Sequence, residues 1–175
     1  MPLRDFQIAA RDAIYAAWAE PNVFNVMPVI ATGGGKTVLF CDIIANYQRP
    51  SVVIAHRQEL VAQASLSLNR EHVPHGILAP KAVQKQIIEL HHQTHGYSSY
   101  AYRSDTKVAG VDTLLNHDKA DRWLSQVGLV VQDEGHHVLR SNKWGSAMAL
   151  FPASRDQRVM HPLQNTCPQR NRTGL

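Results

Sequence analysis

Apolar and polar residues alternate at helical spacing at the start of the chain and then give way to a short apolar run. Positions 4–19 predict an amphipathic helix with Asp5 as its N-cap and an end before Pro21. The run at 24–30 predicts a short buried strand. Pro28 has no N–H group, so we expect this strand at a sheet edge or with an irregularity there. The chain therefore opens with a helix and a strand.

Further along, continuous apolar runs are separated by helical patterns. The runs at 51–55 and 127–132 predict buried strands, and 57–69 and 82–92 predict helices. The segment 108–115 predicts the end of a strand and the start of a helix. Strands that are apolar throughout are typical of parallel sheets covered on both faces. We therefore expect an α/β fold with a mostly parallel sheet and helices on both faces.

The last part of the chain, 151–175, follows neither the helical nor the strand period. It holds four arginines against one acidic residue, so it carries three of the four net positive charges of the 175-residue chain. The excess positive charge is therefore only weak support for nucleic-acid binding by residues 1–150. We interpret 151–175 as an irregular tail, typical of a frameshifted or truncated reading frame.

The composition excludes several classes of protein. Cys41 and Cys167 are the only cysteines, which excludes a disulfide framework, and their setting does not predict structural zinc. No apolar run has the length of a membrane span, and the N-terminus lacks the apolar core of a signal peptide. We therefore expect a cytoplasmic protein without a membrane partner.

A glycine-rich loop stands between the first strand and the next helical pattern. The backbone N–H groups of Gly33, Gly34 and Gly35 are suited to cradle phosphate oxygens at a helix N-terminus. Lys36 is placed to reach the β- and γ-phosphates, and the Thr37 hydroxyl to bind Mg²⁺. The spacing predicts a nucleotide site, with a simple glycine turn before a helix as the alternative.

An acidic pair ends the strand predicted at 127–132. Carboxylates at a strand end are costly when buried, but they have a function beside a phosphate-bound metal ion. We expect Asp133 to hold Mg²⁺ and Glu134 to orient and deprotonate the attacking water. The alternative is an acidic turn with no function. Since ligands collect at the carboxyl ends of parallel strands, the upstream glycine loop favours the first interpretation.

Five segments of the chain together resemble the motifs of superfamily 2 DExH-box helicases and translocases, in that family's order. The segments 32–37 and 133–136 resemble motifs I and II, and a glycine of the strict phosphate-loop pattern is replaced by isoleucine, as is common in the shortened family form. The segments 3–7, 54–60 and 111–114 are similar to the Q-type motif, motif Ia and motif Ib. The likeness is to motor subunits of restriction enzymes and to phage and bacterial helicases.

The resemblance implies a RecA-like P-loop NTPase domain over 1–150, incomplete at its C-terminus, that binds ATP and Mg²⁺ and acts on nucleic acid, with DNA favoured. It assigns catalysis to Lys36 and Glu134, and metal binding to Thr37 and Asp133. It assigns ATP binding to the loop and the Q-type motif, in which Gln7 reads the adenine edge, namely Arg4, Gln7, Thr32, Gly33, Gly34, Gly35, Lys36 and Thr37. It assigns nucleic-acid contacts to His56, Arg57 and Thr113, and coupling between the sites to His136.

Plainer interpretations remain open for several of these residues. Gln7 is alternatively a solvated side chain, His56 and Arg57 are alternatively a strand-to-helix turn, Thr113 is alternatively an N-cap, and His136 is alternatively a loop residue. Three histidines of the predicted helix, His91, His92 and His95, favour a solvated polar face over a metal site. The two tryptophans at 123 and 144 favour packing over base stacking.

The segments after motif II do not contain the motif III or the second motor domain that the resemblance implies. We therefore expect this chain to hydrolyse ATP poorly by itself. A catalytically inert nucleotide- or nucleic-acid-binding fragment is the alternative, and a P-loop kinase is a third hypothesis. Partner subunits are not predicted by the sequence.

Overall fold

The computed structural model describes residues 3–31, 33–132, 142–151 and 157–165. Its helices are α1 (Asp5–Ala19), α2 (Lys36–Asn46), α3 (Gln58–Arg70), α4 (Lys81–His95), α5 (Val111–Leu115), α6 (Arg122–Gln126) and α7 (Lys143–Met148). Its strands are β1 (Asn25–Val26), β2 (Val29–Ala31), β3 (Ser51–Ala55), β4 (Gly76–Leu78), β5 (Lys107–Gly110), β6 (Leu129–Gln132), β7 (Arg158–Met160) and β8 (Leu163–Asn165).

Six strands form one sheet in the order β1-β7-β6-β3-β5-β4, and β2 pairs with β8 beside it. Every pair between these strands is parallel. The predicted α/β fold with a parallel sheet is therefore confirmed. Within the described ranges no helix has both the length and the apolar character that a membrane span requires.

Each face of the sheet is covered by its own apolar core. One core joins the sheet to the four longer helices, with Ile14, Phe40, Leu68 and Ile87 as buried members from α1, α2, α3 and α4. The other core joins the opposite face to the three short helices α5, α6 and α7. Trp123 and Trp144 lie in this second core, as the packing interpretation predicts, and burial of such side chains stabilises both layers.

The first helix begins at Asp5, the residue predicted to be its N-cap. Arg4, with an extended backbone, is the N-cap, and Asp5 is the first helical residue, so the prediction of Asp5 as cap is wrong. The Gln7 side chain takes the capping role, because its Oε1 accepts the Arg4 N–H at 2.9 Å. The predicted irregularity at Pro28 is confirmed, since it lies between β1 and β2.

Part of the segment expected to be irregular is built into the sheet. Strand β7 lies between β1 and β6 and pairs with both, with Val159 and Met160 buried. The expectation of an irregular tail is therefore wrong for 158–165. A strand of three residues offers too few positions for its period to be read from the sequence. Residues 152–156 and 166–175 lie outside the described residues.

The polar contacts between α3, α4 and the loop after α4 correct the interpretation of the three histidines. His91 is fully buried, and its Nε2 lies 3.0 Å from Ser65 Oγ and its Nδ1 3.0 Å from Ser98 Oγ. Ser65 Oγ also lies 2.7 Å from His75 Nε2. A solvated face is therefore wrong for His91. Among the described residues, no group of three or more potential ligands could hold a metal ion.

The direction of each hydrogen bond in this network follows from counting protons. His75 Nδ1 lies 2.8 Å from the Val73 carbonyl and must donate to it, so the neutral ring accepts the Ser65 hydroxyl proton at Nε2. Because Ser65 has one proton, His91 Nε2–H must donate to Ser65. His91 Nδ1 then accepts from Ser98. Both imidazole rings are neutral in this arrangement. Protonation of either ring would remove the ring nitrogen that accepts a hydrogen bond from a serine hydroxyl.

We predict that acid destabilises the domain through this network. Burial, with a smaller contribution from positive charge on His75, lowers the pKa of His91 to about 4. The unfolded chain binds a proton at the usual pKa of about 6.5, so stability falls as the pH decreases from there towards 4. The loss from His91 amounts to roughly 3 kcal/mol. Urea unfolding from pH 7 to pH 4 measures it.

The variant His91→Gln should have a lower free energy of unfolding at pH 7 than the parent protein. Its free energy of unfolding should also change less between pH 7 and pH 4. His92→Gln, on the exposed side of the same helix, is the matched control and should keep the slope of the parent protein. Equal slopes for all three proteins would show that His91 does not carry the effect.

Candidate functional site

The glycine loop follows β2, which pairs with β8 beside the six-stranded sheet, and leads into α2. Gly33 and Gly35 have φ angles of 76° and 75°, a region that favours glycine, and Gly35 is the N-cap of α2. The Gly34 N–H donates to the Ala31 carbonyl at 2.8 Å, which closes the turn. An added Cβ at Gly34 would lie 2.7 Å from Ile30 Cγ2. The loop is thus tight enough to require its glycines.

The start of α2 has the properties of an anion site. The N-cap Gly35 has no side chain to accept the first N–H groups of the helix, and the helix dipole favours negative charge there. Lys36 and Thr37 are half-buried in this first turn. Leu39, Phe40 and Ile43 bury the other side of α2 in the core, which fixes the direction of the helix.

Gln7, in the first turn of α1, hydrogen-bonds the backbone of the glycine loop. Its Nε2 donates to the Gly34 carbonyl at 3.0 Å and to the Gly35 carbonyl at 3.4 Å, and only 4% of the residue is exposed. With Oε1 bound to the Arg4 N–H, both ends of the amide contact the backbone. A solvated Gln7 is therefore wrong. The structure connects Gln7 to the loop itself, and its contact with adenine stays a prediction.

The segments assigned to nucleic-acid contacts lie side by side. Ala55 of β3 is in register with Gly110 of β5, so His56 and Arg57 follow one strand while α5, with Thr113, follows its neighbour. Arg57 is exposed at the start of α3. Parallel pairing thus brings the two predicted segments together at one edge.

Helix α7 contacts the segments after β3 and β5 through side chains, which the sequence does not predict. Lys143 Nζ lies 3.2 Å from Asp112 Oδ1, and Asn142 caps α7 by accepting from the Trp144 and Gly145 N–H groups. The His56 ring packs against the Trp144 ring at 6.0 Å between centroids. Asn is a preferred N-cap residue, so the cap has a sequence signal, but the Asp112 partner of Lys143 is distant in sequence.

The strand that leads to the acidic pair ends at the same edge. Gln132, the last residue of β6, is in register with Ile54 of β3. Asp133, Glu134 and His136 follow in the sequence and, like Thr32, lie outside the described residues. Their convergence with the glycine loop stays a prediction.

Comparison with known proteins gives matches over most of the chain. A family model described as "Type III restriction enzyme, res subunit" (ResIII) matches residues 1–157. The putative ATP-dependent helicase IRC3 of Saccharomyces cerevisiae is 31% identical over 163 residues, which cover 87% of this chain and 21% of that protein. The chain therefore spans about a fifth of the length of this relative.

Solved structures share the fold at low sequence identity. The E. coli DExH-box NTPase HrpB has a TM-score of 0.63 at 18% identity, over 97% of this chain and 20% of that chain. The Pyrococcus furiosus Hef helicase domain has a TM-score of 0.58 at 22% identity, over 94% and 34%. The Type ISP restriction-modification enzyme LlaGI, solved with a DNA substrate mimic, has a TM-score of 0.60 at 13% identity, over 93% and 17%.

We predict that Gly35→Ala destabilises the protein more than Gly33→Ala, although both sites have positive φ. An added Cβ at Gly35 would lie 2.6 Å from Gln7 Nε2, whereas at Gly33 no described atom lies within 4 Å. Gly33→Ala should cost about 1 kcal/mol from its backbone conformation alone. Gly35→Ala should cost about 2–3 kcal/mol, because the Gln7 amide must also leave its carbonyl partners.

Chemical unfolding of both variants measures the difference. In a Gln7→Ala background the extra cost of Gly35→Ala should disappear, since the blocking amide is gone. An extra cost that persists without Gln7 would contradict this explanation.

Proposed function

Because this chain belongs to the family of the type III restriction enzyme res subunit, within the superfamily 2 helicases, we propose that it is the ATP-binding motor domain of a DNA-dependent ATPase. The observation that carries the proposal is the glycine loop, which opens α2 at the carboxyl edge of a parallel sheet. Family membership argues against the small-molecule kinase. No feature of the described residues favours the inert fragment.

The loop supports binding of a triphosphate by its shape as well as its charge. Side chains are missing where the backbone turns, so N–H groups of the loop and of the first turn of α2 are accessible to phosphate oxygens. We assign Lys36 to the β- and γ-phosphates. Gln7 sets the position of the Gly34 and Gly35 carbonyls and thereby the direction of the neighbouring N–H groups.

The donor set of the site fits Mg²⁺, which takes oxygen ligands. We assign the Thr37 hydroxyl and the Asp133 carboxylate to hold it, directly or through water. When bound, the ion neutralises charge that develops on the phosphate oxygens. Glu134 orients a water molecule and accepts its proton as the water attacks the γ-phosphate. These roles rest on the family motifs and on the position of Asp133 and Glu134 in the sequence, directly after β6.

The neighbouring edge of β3 and β5 supports a contact with the nucleic-acid backbone. Arg57 is exposed at the end of the turn after β3, and α5, which follows the neighbouring strand β5, adds the Thr113 hydroxyl. Such contacts carry no base information, so they suit a motor that moves along any sequence. DNA rather than RNA is our proposal, in line with the DNA mimic bound by LlaGI.

We predict that Lys36→Ala lowers affinity for Mg²⁺–ATP by about 10–100-fold, because a charged hydrogen-bond donor to the phosphates is lost. Calorimetry or a fluorescent nucleotide measures the affinity. Lys85→Ala removes the same charge from the exposed side of α4 and is the matched control. Equal affinities for the two variants would remove the basis of the nucleotide assignment.

We also predict that Arg57→Ala weakens binding to duplex and single-stranded DNA by about 3–10-fold. The salt dependence of binding should lose about one unit of slope, as expected for one phosphate contact. The matched control is Arg103→Ala, an exposed arginine ahead of β5 at the opposite edge of the sheet. Fluorescence anisotropy over a salt series measures both, and a loss of equal size at Arg103 would indicate nonspecific attraction only.

A further inference from the structure

Gln132 is a buried polar residue whose side chain has no partner in the structure. It ends β6 after three apolar residues and is 0% exposed. Neither Oε1 nor Nε2 makes a hydrogen bond within the part of the chain that the structure describes. A buried amide without partners is unfavourable, since water satisfies it in the unfolded chain. Buried polar groups without hydrogen bonds are rare in native structures and often have a functional role.

A second buried polar atom without a partner belongs to His161, a half-buried residue that directly follows the adjacent strand β7. Val130 and Val159 are register partners and belong to the same core, so Gln132 and His161, two positions further on, lie on that same face. The His161 N–H donates to the Val26 carbonyl at 3.0 Å, which continues the strand pairing beyond β7. His161 Nδ1 is buried and likewise has no hydrogen-bond partner in the described ranges.

The two groups lie on the strands that connect the halves of the proposed nucleotide site. Gln132 immediately precedes Asp133, which we assign to the metal. Strand β7 lies between β6 and β1, and β1 leads through β2 into the glycine loop. A contact between Gln132 and His161 would therefore fix the end of β6 relative to the strands that carry the loop.

We propose that Gln132 is a positioning residue for the nucleotide site, whose amide has no hydrogen-bond partner among the described residues and hydrogen-bonds the His161 imidazole when Mg²⁺–ATP is bound. The inference rests on the proposed function. The unpaired Gln132 amide destabilises the protein. If nucleotide binds more tightly to the state in which this amide is hydrogen-bonded, the recovered free energy adds to the binding free energy of the nucleotide. Removing the amide must then stabilise the free protein and weaken the binding of nucleotide together.

The test is Gln132→Met, which keeps the length and approximate volume of the side chain and removes its polar atoms. Without nucleotide, the Tm should rise by about 2–6 °C. Affinity for a non-hydrolysable ATP analogue with Mg²⁺ should fall by about 5–30-fold. At saturating analogue the Tm values of the two proteins should converge, because the amide of the parent protein is then satisfied.

Two further variants separate the proposed contact from a general effect of the substitution. Gln157→Met is the matched control, because this buried glutamine does have a partner, the Val127 carbonyl at 3.4 Å. Its Tm should fall and its affinity for the analogue should stay unchanged. His161→Phe should lower the affinity as Gln132→Met does, and the double variant should lose no more than either single one.

The outcomes distinguish this inference from the function on which it rests. A parent protein that does not bind the analogue overturns both. A parent protein that binds, with unchanged affinity in Gln132→Met, overturns the inference alone, and so does a Tm difference that persists at saturation or a lower Tm of the variant. Additive losses at positions 132 and 161 overturn the assignment of His161 as the partner.

Discussion

Parallel pairing brings the carboxyl ends of the central strands to one edge of the sheet, and each proposed functional segment of this domain follows from that constraint. His56 and Arg57 leave β3 there and α5 leaves β5, while the glycine loop leaves β2, which follows β1 and pairs with β8 outside the six-stranded sheet. Helices cover both faces, so the edge is where polar groups on the chain remain accessible to ligands. A reversed direction of β3 or β5 would separate His56 and Arg57 from α5.

Within that frame, a small number of hydrogen bonds set the geometry of the loop. Gln7 connects α1 to the carbonyls of Gly34 and Gly35, and the Gly34 N–H closes the turn onto Ala31. The loop is therefore supported by a helix that enters the core through Ile14 and Trp18. This contact connects α1 to the phosphate loop, so the N-terminal helix supports the proposed ATP site.

The sequence predicts the central part of the fold well, because the runs at β3 and β6 are apolar throughout and leave few alternatives. It predicts the loop because glycine, lysine and threonine in that order have a known physical use. Prediction from the sequence fails where the structure depends on contacts with side chains that the local pattern does not reveal. The burial of His91 depends on Ser65 in another helix, and the cap of α1 depends on the Gln7 side chain. Strand β7 is too short to be recognised without β1 and β6 on either side. The unsatisfied amide of Gln132 has no sequence signal at all.

The central claim is that the glycine loop and the acidic strand end bind one Mg²⁺–triphosphate together. A crystal structure of the chain with a non-hydrolysable ATP analogue and Mn²⁺, located by its anomalous scattering, tests this most directly. The account predicts phosphate oxygens on the N–H groups of Gly33, Gly35, Lys36 and Thr37, with the metal ion between the Thr37 hydroxyl and the Asp133 carboxylate. A nucleotide bound elsewhere, or a metal ion beyond reach of Asp133 even through a bridging water, would contradict it.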